Sequence, residues 1–184
     1  AVVVGQSLGA QWAVELAAQR PDLVAAVVLV GPVVDDRRPS RAALAAGIIA
    51  DFLREPPSVA AIELADVLRT DPAWFFGQAE HMLRYPLLDR VAALRAPVLV
   101  LAGGRDPLAR PTWLRRLRDA AAEGSLVLGP SAPHHVQCTA PGAVADAIDG
   151  FLGEAPTGRE PARHPERAGT PSSPLEPPPN PPRG

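Results

Sequence analysis

The sequence has no lysine, and all 18 of its basic residues are arginine. A P-loop and a Schiff-base mechanism both need an ammonium group, so the chain carries neither. Its single cysteine, Cys138, excludes an internal disulfide and any zinc site built from several thiolates. One cysteine is also what a reducing, cytoplasmic compartment leads one to expect, and Cys138 itself reads as an inert buried thiol. Neither sign of charge is in excess: a net charge of −2 offers no footprint for nucleic acid. Long apolar runs are missing too. The stretch from Leu23 to Val34 is interrupted by Gly31 and Pro32 and is too short to span a bilayer, and no signal-type segment opens the chain.

What is present suits one globular domain with a sizeable core: 184 residues, 47% of them hydrophobic. Ala1 to Val4 is a short β-branched run of the kind buried on both faces of a parallel sheet. Gly5, Gln6, Ser7, Leu8 and Gly9 follow as GxSxG and lead into a helical segment with Leu8, Trp12 and Leu16 four apart on one stripe. Pro21 stops that helix, and Ala25 to Val30 is a second buried strand closed by Gly31 and Pro32. From about residue 36 to 95 the pattern is helical with proline breaks. Leu44, Ile48 and Phe52 form a stripe there, Ser58 is placed to cap a second helix, and Asp71 before Pro72 is placed to cap a third. Pro97 to Ala102 and Ser125 to Leu128 are further strands, with helices at about Pro111 to Glu123 and Gly142 to Leu152. The β-then-α order predicts a doubly wound parallel sheet of the α/β class. Beyond Gly153 ten of the 23 prolines crowd into the last 31 residues with no periodicity, which predicts a disordered, proline-rich tail over 154–184.

The strand, GxSxG turn and helix resemble the nucleophile elbow of the α/β-hydrolase family, and the likeness runs from about Ala1 to Leu152. It implies a serine nucleophile at Ser7, raised on a strained turn, with the Leu8 N–H directed at an oxyanion. The family order is serine, acid, histidine. The acid falls on Asp106 in GGRDP, just past a strand, with Asp35 and Asp36 as alternatives after the preceding strand. The histidine falls in GPSAPHHVQCTAP, where counting back from Ala140 and Pro141 favours His134, with His135 as its neighbour. The insertion at 36–95 corresponds to a cap, in which Trp74, Phe75, Phe76 and Met82 are candidates to line an apolar substrate pocket or to serve as ordinary cap core.

The resemblance implies a serine hydrolase for a carboxylic ester or related acyl substrate, working through an acyl-enzyme and needing no cofactor or metal. A carbon–carbon bond hydrolase of the same fold and a non-catalytic ligand-binding module are the alternatives. Because the elbow strand comes first, the expectation is a carboxyl-terminal portion of such a domain over 1–153, a fragment with amino-terminal strands and one oxyanion loop absent and an apolar sheet edge left open.

Overall fold

A computed structural model describes residues 1–36 and 40–154. Four strands, β1 (Val2–Gln6), β2 (Ala26–Val30), β3 (Val98–Ala102) and β4 (Gly124–Leu128), form one parallel sheet in the order β1-β2-β3-β4. The expectation that amino-terminal strands are absent is overturned here. The amino-terminal strand β1 is present and is a full member of the sheet, in register with β2 from Val2 opposite Ala26 to Gln6 opposite Val30. Its five residues bond along the whole of β2 because Gly5 and Gln6 continue the extended run past Val4, where the sequence pattern had ended it.

The two central strands are fully buried, as their unbroken Val/Leu composition requires. Alternate residues feed two cores. Val27, Leu29, Val98 and Val100 pack on one face with Val14, Trp113, Leu114 and Leu117. Val28, Val30, Leu99 and Leu101 pack on the other with Val144 and Phe151. Helices α1 (Gly9–Gln19), α5 (Leu87–Ala92) and α6 (Pro111–Ala120) therefore share one face, and α8 (Pro141–Glu154) covers the other. Each crossover steps one strand in the same direction, so its helix lands on the same side, and only the segment after β4 is free to return across the opposite face.

Helix α1 presents its small residues to the sheet, not its large ones. Ala10, Ala13, Val14 and Ala17 are buried, while Trp12 is 64% and Leu16 44% exposed. The Leu8/Trp12/Leu16 stripe of the sequence reading thus faces outward. Close approach is the reason: a Cβ on Gly5 would collide with the backbone of Gly9 and Ala10, so the helix rests almost directly on β1.

Between β2 and β3 lie α2 (Arg41–Phe52), α3 (Pro57–Arg69), α4 (Pro72–Arg84) and then α5. Ser40 caps α2 through the N–H of Ala43 at 3.0 Å, and Asp71 caps α4 through that of Trp74 at 2.9 Å. Ser58 caps nothing, because α3 already starts at Pro57, whose missing N–H suits the first helical position. Ile48 and Phe52 are exposed, and the contact face of α2 runs instead through Leu44, Gly47 against Leu108, and buried Asp51. The far end of the insertion is fastened to α1. Gln11 donates to the Met82 carbonyl at 3.0 Å, and Glu15 accepts from Tyr85 at 2.8 Å and Arg90 at 2.7 Å.

Among the described residues no helix is long and apolar enough to cross a membrane. The proline-rich stretch assigned to 154–184, apart from Glu154 at the end of α8, lies outside the described residues, as does His164.

Candidate active site

All four strands point their carboxyl ends at the same edge of the sheet, where open α/β sheets hold their sites. Ser7 follows β1 with φ of 53°, a left-handed conformation costly to a residue with a side chain. Its N–H donates to the Val30 carbonyl at 2.9 Å, which ties the turn to the end of β2. Helix α1 starts two residues later with no side chain capping it, and Ala10 N–H donates to the Ser7 carbonyl at 3.2 Å, so the positive end of the helix dipole lies beside Ser7.

Asp106 follows β3 and is held by its own turn. Its Oδ1 accepts the N–H groups of Leu108 at 2.8 Å and Ala109 at 2.9 Å, which leaves Oδ2 to meet His134 Nδ1 at 2.7 Å. Both side chains are buried. The strands that carry them are also stitched together beyond their ends: Gly104 donates to the Pro130 carbonyl at 2.9 Å and Arg105 to that of Ala132 at 3.0 Å.

The His134 ring lies against the end of β2. Gly31, at φ of 53°, would place a Cβ 2.9 Å from His134 Cε1, so this position is closed to any side chain. The Ser7 turn is thus bonded to Val30, and the histidine ring packs on the next residue, Gly31. His134 Nε2 is buried and has no hydrogen-bond partner among the described residues. Burial alone would push the His134 pKa down. The Asp106 hydrogen bond and charge outweigh it, helped by Asp51 and Glu55, and hold the value above the ordinary 6.5.

The structure therefore brings Asp106 to His134, and it takes Asp35 and Asp36 elsewhere. Arg116 on α6 lies 3.4 Å from Asp35 Oδ1 and donates to Asp36 Oδ2 at 2.8 Å. Trp74, Phe75 and Phe76 are exposed, with Phe75 and Phe76 edge to face on α4, and Met82 is buried toward α1. None of the four lines the cavity next to the Asp106 turn, whose walls include Val33, Asp35, Leu44, Leu83, Leu108 and Arg110. Cys138 is exposed on the short helix α7 (Val136–Thr139), against the expectation of a buried thiol, because Val136 takes that helix's one buried position.

The insertion adds three acids that the sequence reading passed over. Asp51 accepts the backbone N–H of His134 at 2.9 Å, and Glu55 accepts that of His135 at 2.8 Å. His135 Nδ1 also lies 2.7 Å from Glu63, 3.2 Å from Glu55 and 3.8 Å from Asp51. Burial raises the pKa of Asp51, opposed by the His134 N–H, and burial likewise raises that of Glu63, opposed by His135. The available signal was the spacing of Asp51 and Glu55, one helical turn apart on the face that Leu44 and Gly47 begin.

A parallel sheet with helices on both faces and these loops at its carboxyl edge define a protein of the α/β-hydrolase type. Residues 1–137 match the profile of the family described as serine aminopeptidase, S33 (Hydrolase_4), and the chain belongs to that family. It is 34% identical over 152 residues to the uncharacterized protein Rv2307c of Mycobacterium tuberculosis, an alignment that covers 82% of this chain and 43% of that protein. The chain thus spans less than half the length of this relative. Among solved structures it resembles Rv0554 of Mycobacterium tuberculosis, at 27% identity and a TM-score of 0.55, over 83% of this chain and 65% of that one. Est816, described as an N-acyl homoserine lactone degrading enzyme, shares the fold at 24% identity and a TM-score of 0.69, over 82% and 67% of the two chains.

Proposed function

We propose that the chain carries the reacting groups of a serine hydrolase for a carboxylic ester or related acyl substrate. The observation that carries this reading is the buried His134–Asp106 pair, 2.7 Å apart, with the His134 ring on Gly31 and the strained Ser7 turn bonded to the adjoining Val30. A serine hydroxyl needs a base, and the base needs an acid to fix its tautomer. In this scheme Asp106 takes the Nδ1 proton as a hydrogen bond and leaves Nε2 to accept the proton of Ser7. Ser7 Oγ bonds to the acyl carbon, and the negative charge moves to the carbonyl oxygen, where the Leu8 N–H and the first turn of α1 offset it. His134 then returns the proton to the departing alcohol. Water, deprotonated by the same nitrogen, releases the acid and restores Ser7. The raised pKa of His134 suits a group that must hold a proton between these steps.

The test is covalent labelling by a fluorophosphonate, combined with hydrolysis of short-chain p-nitrophenyl esters. Labelling is expected to fall on Ser7 and to vanish in Ser7→Ala, with ester turnover reduced by about 10³-fold or more. A folded protein that takes no label and cleaves none of the esters sinks the proposal in favour of a ligand-binding module.

A further inference from the structure

Next to the His134 pair sits a second cluster that this chemistry does not use. Asp51 comes from the last turn of α2, Glu55 from the turn after it, Glu63 from α3, and His135 from the loop after β4. One potential ligand atom from each lies within 4.8 Å of all the others.

Their charges do not balance internally. Three carboxylates converge on one imidazole nitrogen, which carries at most one proton to share among them. Among the described residues no arginine pairs with Asp51, Glu55 or Glu63, and the nearest in sequence, Arg54, donates instead to the Ala50 carbonyl at 2.8 Å. Glu55 gives an independent sign of a missing partner. Its side chain is wholly shielded from solvent, and while Oε1 accepts from the His135 N–H within the cluster, Oε2 is buried with no donor among the described residues. A buried carboxyl oxygen left without a donor is disfavoured unless a hydrogen bond or a positive group meets it.

We propose that Asp51, Glu55, Glu63 and His135 form a site for a divalent transition cation, with zinc as the ion the donor set fits best. Three carboxylate oxygens and one imidazole nitrogen make a four-ligand set. Calcium and magnesium prefer oxygen alone, whereas zinc accepts both donor types in a tetrahedron. Zinc bonds of about 2.0–2.2 Å bring ligand atoms roughly 3–4 Å apart, so Glu63 and His135, 2.7 Å apart, open slightly while the wider pairs close. His135 binds through Nδ1 as the neutral Nε2–H tautomer, and a proton is released as the ion enters. With all four positions taken by protein the ion has a structural role. It fastens α2 and α3 to the loop that carries His134, a role that stands whether or not Ser7 is a nucleophile.

Calorimetric titration of the chelator-stripped chain with Zn²⁺ alone tests this. We expect one equivalent to bind and to raise the Tm. Binding should weaken by about 100-fold or more in Glu63→Gln and in His135→Ala, and stay unchanged in His81→Ala on exposed α4. If the first two variants do not fold, imidazole NMR of the unaltered chain decides: Zn²⁺ must move the His135 ring signals and leave those of His81 in place. Absence of stoichiometric binding, undiminished binding in the folded variants, or shifts confined to His81 or His164 would each overturn the proposal.

Discussion

The sheet and the insertion bury opposite kinds of residue. In β2 and β3 every position is buried and apolar, and the core on each face is closed by helices through aliphatic contacts. In α2, its cap Leu53 and α3 the large apolar residues Ile48, Ile49, Phe52, Leu53, Ile62 and Leu68 are exposed, while the inward face includes the acids Asp51 and Glu63 beside Leu44 and Gly47. Apolar burial is nondirectional and holds the scaffold, together with Leu87 and Val91 of α5, by area, whereas α2 and the turn after it reach the loop at His134 and His135 through directed bonds from Asp51 and Glu55. A segment attached in this way can be loosened by chemistry that leaves the sheet untouched.

The sharpest comparison uses the two acids that reach His134, one from each region. Asp106→Asn keeps the shape but loses the charge and the tautomer it selects, and is expected to lower ester turnover by about 10⁴-fold. Asp51→Asn keeps an oxygen for the His134 N–H and should cost no more than about tenfold. Steady-state kinetics on both variants would break the distinction if the two losses were equal.

Stability gives the next contrast. Leu99, with no exposed surface, faces the α8 side of the sheet, and Leu99→Ala is expected to cost about 2–5 kcal/mol by denaturant unfolding. Leu53, 78% exposed in the insertion, should change stability by less than about 0.5 kcal/mol as alanine. A large loss at Leu53 would mean that this face is covered in solution.

A smaller effect lies in the acid dependence of the far anchor. Hydrogen bonds from Gln19, Arg90 and Tyr85 lower the Glu15 pKa from 4.5 to about 2. A carboxylate with a depressed folded-state pKa contributes its stability above the unfolded value and loses it as pH falls through the folded one. Between pH 4.5 and 2 the unaltered chain should therefore lose more Tm than Glu15→Gln does, by a few degrees at most because Glu15 and Arg90 are partly solvated. Parallel Tm curves for the two would show that the anchor contributes nothing there.

The parts legible in the sequence were those governed by burial and by backbone geometry. Unbroken Val/Leu runs marked β2 and β3, and paired glycines around Ser7 marked the turn. Asp106 was chosen for its place just past a strand and His134 by counting back from Ala140 and Pro141, and the two side chains lie 2.7 Å apart. Side-chain size misled in α1, since a helix lying this close to its strand favours alanine on the contact face and displaces Trp12 outward. Asp51, Glu55 and Glu63 were illegible for a related reason. Acids in a helical segment look solvated, and only the distant loop at His134 and His135 makes them inward.

The bonds from Gly104 to Pro130 and from Arg105 to Ala132 have a consequence for anyone wishing to remodel this protein. They join residues 103–106 to 130–135, so exchanging one of the two loops alone breaks both bonds. A graft of new loops at this edge must carry both loops from one donor, or the donor's acid will arrive without the histidine that it was shaped to hold.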